Sequence, residues 1–171
     1  MEVRTVESFL DYYRRIRQRT NRLLEVIPAE KLEWTYRPGK YSIGDIIRHL
    51  AGMERYMYAE IAAGRTSAYP GCGKELAAGL ENVLQYFHQL HEESLRIFNG
   101  MNDDALLQKC TSPAGVPITV GKWLRAMVEH EIHHRGQLYI YLNILGVSTP
   151  PIFGMTAEEV AASSNLQKTS L

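Results

Sequence analysis

The stretch VGKWLRAMVEHEIHHRGQLYIYLNIL, Val120 to Leu145, decides how this chain folds. Val120, Trp123, Leu124, Met127, His130, His134, Leu138, Tyr141, Leu142 and Leu145 recur at helical spacing, which lines them along one face of an α-helix. Gly146 is the natural stop, with Pro150 and Pro151 just beyond it. Within that helix His130 and His134 are one turn apart, so both imidazoles can point at a single ion. Neutral imidazole suits Zn, Ni, Cu and Fe. A third ligand has to come from elsewhere in the chain.

Upstream, three more amphipathic stretches appear. Val6, Phe9, Leu10, Tyr13, Ile16, Leu23, Leu24 and Ile27 predict a first helix from about Val6 to Ile27. Pro28 and the run Trp34 to Lys40 make a loop, and Ser42-Ile43-Gly44-Asp45 has the form of a capping box that opens a second helix. The stripe of that helix is Ile43, Ile46, Ile47, Leu50, Met53 and Met57, and His49 lies on the same side. Gly64 to Gly73 reads as a turn-rich linker, followed by a third helix from about Glu75 to Phe98. Asn99 to Pro117 predicts an irregular crossover with a short extended pair around Leu107 to Ile118. Thr156-Ala157-Glu158-Glu159 is another capping box, opening a short C-terminal helix whose end, from about Ser163, is expected to fray. Four long helices without a convincing sheet predict an all-α four-helix bundle, formed as a single domain over residues 1–171.

Composition narrows the function. Nineteen Lys and Arg balance nineteen Asp and Glu in 171 residues, so no basic footprint favours nucleic acid or an anionic membrane. Cys72 and Cys110 are outside any CxxC spacing, which fits a reducing compartment. Residues Met1 to Glu7 are partly acidic and lack an apolar signal core, and no segment is apolar for long enough to span a bilayer. A soluble, cytoplasmic protein acting on a small molecule is the expectation.

A lone histidine on an apolar stripe is more often a packed residue than a ligand. Two at one-turn spacing are different, because both buried ring tips need partners and a shared cation satisfies both. Adding His49 gives three nitrogens and leaves a coordination position open, as in catalytic rather than structural sites. His88 and His91 read as surface or rim residues. Glu131, His133, Arg135, Gln137, Tyr56 and Trp34 are candidates for the pocket or for the groups behind the ligands. Their alternative reading is ordinary helix surface for Glu131, Arg135 and Gln137, and ordinary packing for the two aromatics.

The segments Pro38 to Leu50, His130 to Leu138, and Leu145-Gly146-Val147 with Pro150-Pro151 resemble the DinB/YfiT-like superfamily over nearly the whole chain. That resemblance implies an up-down-down-up bundle with one ligand histidine from the second helix and two from the last, matching His49, His130 and His134. It also implies a divalent metal, usually Zn or Ni, and frequent homodimers. Characterised members include transferases and isomerases dependent on thiols such as bacillithiol or mycothiol. The expected activity is a metal-dependent transfer of a thiol to a small electrophile, with Zn, Ni or Fe and a low-molecular-weight thiol as cofactors; no residue is assigned a catalytic role.

Two other classes compete. A metal-dependent hydrolase uses the same ion on water, and His130-Glu131-Ile132-His133-His134 also matches HExxH, with Glu158 or Glu159 downstream as a third protease ligand. Gly146, Pro150 and Pro151 interrupt the path to those carboxylates, and no strand upstream offers an edge for a peptide. The third class is a non-enzymatic stress-response or binding module in which the histidines merely line a cavity.

Overall fold

A computed structural model describes residues 4–169. Helix α1, Val6–Leu24, opens at Thr5, whose hydroxyl accepts from the Ser8 N–H while the Ser8 side chain accepts the Thr5 N–H. It stops short of Ile27 because a residue before proline is pushed out of helical geometry. The last turn accordingly tightens, with Val26 N–H to Leu23 and Ile27 N–H to Leu24. Helix α2 begins at Ser42, where Ser42 and Asp45 exchange side-chain-to-backbone bonds of 2.9 and 3.0 Å. It runs as α-helix over Ile43–Met53, passes through a π-helical turn over Glu54–Ala59 and closes with Glu60–Ala62.

Helix α3, Leu80–Asn99, starts five residues later than the expected Glu75. Arg48, wholly buried, uses its guanidinium to hold the carbonyls of Cys72 and Ala77, and Gly79 then turns the chain at φ +81°. Those carbonyls point at Arg48, so the segment before Leu80 is a loop. A short hairpin follows, strand β1 (Lys109–Thr111) antiparallel to β2 (Pro117–Thr119), in register Cys110 opposite Ile118. Helix α4, Val120–Ile144, leaves β2 directly. It ends in a Schellman motif: Gly146 N–H bonds Asn143 and Val147 N–H bonds Leu142, with Gly146 at φ +73°. Helix α5, Ala157–Thr169, is capped by Thr156 and Glu159 and continues past Ser163, where fraying was expected. No helix among the described residues is long and apolar enough to cross a membrane.

The core divides along the bundle axis. One half joins the start of α1 (Phe9, Tyr13) and the start of α4 (Trp123, Leu124) to the end of α2 (Tyr58, Ile61) and of α3 (Phe98). The other joins the ends of α1 (Leu23) and α4 (Leu142) to the starts of α2 (Ile43) and α3 (Val83). So α1 and α4 run one way, α2 and α3 the other, which is the up-down-down-up order. Parallel α2 and α3 require the long crossover of residues 63–79.

Across the middle of the bundle lies a buried ionic cluster. Arg17 of α1 pairs with Glu54 of α2 and, at 3.0 Å, with Glu131 of α4. Glu54 also takes His91 of α3 at 2.8 Å, and Thr20 donates to Glu131 at 2.6 Å. The Arg17 guanidinium sits 4.1 Å from the Phe87 ring. Burial alone would raise Glu54, but Arg17 and His91 beside it hold its carboxyl below the ordinary range. His91 is thus a buried residue, 8 % exposed, rather than a rim residue. Glu131→Ala, which leaves the Arg17 charge without one of its two partners, is expected to cost about 3–5 kcal/mol, read from urea denaturation at neutral pH; an unchanged midpoint would contradict this role.

Candidate metal centre

His49 enters from the first half of α2, and His130 and His134 from the middle of α4. On α4 each residue advances about 100°. His130, His134, Gln137 and Tyr141 therefore share one face, while Glu131 and Arg135 are turned into the core. The three rings meet with centroids 4.6 to 5.0 Å apart, and His49 Nε2 lies 3.1 Å from His130 Nε2. One nitrogen from each ring falls within 4.8 Å of the others, the one grouping of this kind among the described residues.

The outer ring nitrogens are held from behind. His49 Nδ1 lies 2.7 Å from the Tyr69 hydroxyl and His134 Nδ1 lies 3.0 Å from Gln137 Oε1, whose amide nitrogen donates to Tyr141 at 3.2 Å. An amide oxygen can only accept, so His134 carries its proton on Nδ1 and keeps its Nε2 lone pair free. The same tautomer follows for His49 when Tyr69 accepts. A tetrahedral ion with bonds of about 2.0–2.1 Å sets its ligand nitrogens roughly 3.3 Å apart, close to the observed His49–His130 spacing. These residues fit a divalent ion.

Charge on the rings is disfavoured. Burial, with His134 nearby, pushes His49 down to about 4; burial and the imidazoles of His134, His49 and His133 push His130 down to about 3. His134 is lowered by burial, opposed by Gln137. Neutral rings are the form that ligates.

Gln137 is the one candidate that bonds a ligand directly. His133 is exposed, with its ring 4.9 Å from that of His134. Trp34 packs edge-on against Tyr141, two steps from His134. Tyr56 lies beneath the Arg55 guanidinium, and none of its contacts reaches the triad. Glu131 and Arg135 need correction in both readings, since they neither line the site nor lie on the surface. Glu131 is 2 % exposed and Arg135 4 %, with Arg135 donating to the Ile16 carbonyl. Sequence reading missed Tyr69, Tyr41, whose ring is 5.4 Å from His49, and Tyr58, 5.7 Å from His130. Tyr141 alone had a signal, since it continues the histidine face of α4. The geometry also removes the protease reading: Glu131 points away from the triad, and Glu158 and Glu159 are exposed on α5.

The sequence model of the DinB superfamily matches residues 12–138. The chain belongs to that superfamily. YjoA of Bacillus subtilis is 27% identical over 152 residues, covering 86% of this chain and 93% of its own. Its crystal structure superposes with a TM-score of 0.70 over 87% of this chain and 99% of that one. YfiT of Bacillus subtilis, described as a probable metal-dependent hydrolase with an unusual four-helix bundle topology, gives 0.66 at 17% identity, covering 84% and 89%. The mycothiol-dependent maleylpyruvate isomerase gives 0.57 at 17% identity, covering 78% of this chain and 60% of its own. At these identities the structural likenesses establish the fold.

Two outcomes follow from the geometry. Gln137→Ala and Tyr69→Phe should each weaken divalent-metal affinity by roughly 10- to 100-fold, measured by competition with a chromophoric chelator; unchanged affinity would mean that these groups do not orient the ligands. In chelator-treated protein, unfolded imidazoles with a pKa near 6.5 take up protons that the folded His49 and His130 refuse. Their contribution to stability is present above pH 6.5 and is lost as the pH falls towards about 4 and 3. The urea midpoint should drop between pH 7.5 and 5, and more in wild type than in His130→Ala.

Proposed function

We propose that His49, His130 and His134 hold a divalent ion and that the protein is a metal-dependent transferase joining a low-molecular-weight thiol to a small electrophile. The observation that carries this reading is a triad of neutral nitrogen donors, two of which contact residues that line the cavity beside Gln137. An ion held by three neutral ligands keeps its full charge and acidifies a thiol or water bound to it, so a nucleophile is available at neutral pH. The chain's own residues do the rest. Tyr69 and Gln137 orient His49 and His134, and the Tyr41 and Tyr58 rings exclude water from the flanks of His49 and His130.

The choice of thiol over water rests on the missing base. The two carboxylates nearest in sequence to the ligands on the buried side, Glu54 and Glu131, are committed to Arg17. Neither is free to accept a proton from attacking water. A thiol on the ion would be deprotonated outright and need no base, whereas bound water, with a pKa of about 7, would be only partly ionised at neutral pH and would gain from one. The likeness to the mycothiol-dependent isomerase agrees with this reading. Hydrolysis is the second reading, supported by the description of YfiT.

The test starts from untagged protein purified without metal chromatography. About one divalent ion per chain is expected by elemental analysis in wild type and none in His49→Ala. Metal-loaded wild type should then conjugate 1-chloro-2,4-dinitrobenzene with one of a panel of low-molecular-weight thiols, and His134→Ala should lose roughly 100-fold or more of the rate. Turnover of a p-nitrophenyl ester in the absence of thiol, with no conjugation, would overturn the transferase in favour of the hydrolase.

A further inference from the structure

Next to the triad, a cavity of about 290 Å³ opens between the loop of residues 36–41 and α4, lined by Tyr36, Gly39, Lys40, Tyr41 and Gln137. Two of its lining residues touch the histidine triad. Tyr41 packs against the His49 ring, and Gln137 is the residue bonded to His134. Tyr36 in turn stands against Tyr141, with ring centroids 5.7 Å apart, so aromatic surface continues from the cavity wall to the partner of Gln137.

The chemistry of this lining is one-sided. Lys40 is its only charged residue, and among the described residues that ammonium has no carboxylate partner. The Gln137 amide spends its oxygen on His134 and one N–H on Tyr141, which leaves its second N–H to give. Tyr36 and Tyr41, about half exposed at 53% and 42%, offer ring faces, while the Tyr41 hydroxyl is engaged with Cys72. A cavity furnished with donors, a cation and aromatic faces, and with no acid, is complementary to a ligand that is flat and carries negative charge. We infer that this cavity is the electrophile's seat and that it selects small planar carboxylates, with Lys40 pairing with the carboxylate and Tyr36 and Tyr41 covering the ring or double bond. Gly39, at φ +77°, makes the turn that brings Lys40 and Tyr41 to the same opening.

The inference names the substrate class of the site proposed above and rests on that reading for the chemistry, while the binding contact itself needs no ion. Benzoate and its neutral counterpart benzamide are the probes, titrated calorimetrically at low salt against wild type, Lys40→Met and Lys40→Arg, each with metal loaded and after chelation. Lys40→Met removes the charge and keeps most of the apolar stem. Wild type should bind benzoate more tightly than benzamide. Lys40→Met should weaken benzoate by roughly three- to fivefold, the scale of a solvent-exposed ion pair; Lys40→Arg should restore most of that, and benzamide should be unaffected. The preference should also shrink as salt is added. Equal binding of benzoate by wild type and Lys40→Met, or equal binding of the two probes, overturns the inference. Lys40-dependent binding should persist after chelation, so failure of the protein to take up a divalent ion would overturn the metal reading alone, and loss of the Lys40 effect would overturn the carboxylate seat alone.

Discussion

One arginine governs the interior. Arg17 of α1 links all four helices, bonded to Glu54 of α2 and Glu131 of α4, with Glu54 passing the connection on to His91 of α3. Two carboxylates and a guanidinium taken out of water depend on one another, because removing Arg17 leaves both carboxylates buried without their cation and removing either carboxylate strips the guanidinium of a partner. Apolar packing alone tolerates a helix rotating or sliding by a residue more readily than this arrangement does. The cluster therefore sets the azimuth of each helix, and through that the direction in which every other side chain points.

The histidine triad inherits its geometry from that constraint. Glu131 follows His130 directly, and turning Glu131 inward to Arg17 necessarily turns His130 about 100° away, towards α2. Glu54 lies five residues after His49 on the same helix, so its attachment to Arg17 likewise limits how α2 can present His49. The polar groups behind the ligands then act on a small scale, with Tyr69 and Gln137 selecting tautomers rather than positioning helices. The imidazoles are kept neutral by burial and by one another, while the nearby carboxylates of Glu54 and Glu131 are engaged with Arg17.

Most of the helices were legible because their cues are local. Ser42 and Asp45 close a capping box visible as four letters, and Gly146 ends α4 at the residue where the apolar stripe stops. The histidine triad was legible because helical spacing brings His130 and His134 together and the stripe of α2 includes His49. What escaped was polar and non-local. The stripe of α1 skips from Ile16 to Leu23, and Arg17 and Thr20 fill that gap, both buried. Read by type they are surface residues; read by position they belong to the core. Glu131 and Arg135 escaped for the converse reason, since the HExxH pattern draws Glu131 towards the metal and charge draws both towards solvent. Only their partners on α1, more than a hundred residues earlier, account for where they lie.

A second arginine does for the loops what Arg17 does for the helices. Arg48, fully buried beside His49, bonds Glu33 of the loop after α1 and the carbonyls of Cys72 and Ala77 of the crossover before α3. Those two loops carry the aromatic walls of the site, Tyr36 and Tyr41 on one and Tyr69 on the other. Gly44 makes the pairing possible, because a Cβ there would stand 3.0 Å from the Glu33 carboxylate and 3.1 Å from the Arg48 guanidinium. Loops of this length would ordinarily be the least ordered part of a bundle. Tied to one buried side chain of α2, they share a single reference with His49, so the ligand and the walls around it are placed by the same turn of helix. The opposite end of the bundle has a different closure, with the Trp123 indole donating to the Tyr58 carbonyl at 3.1 Å and the hairpin joining α3 to α4. The asymmetry makes chemical sense: the histidine triad is flanked by loops whose side chains can differ without disturbing Arg17, so the walls around the three rings can vary on a fixed helical frame.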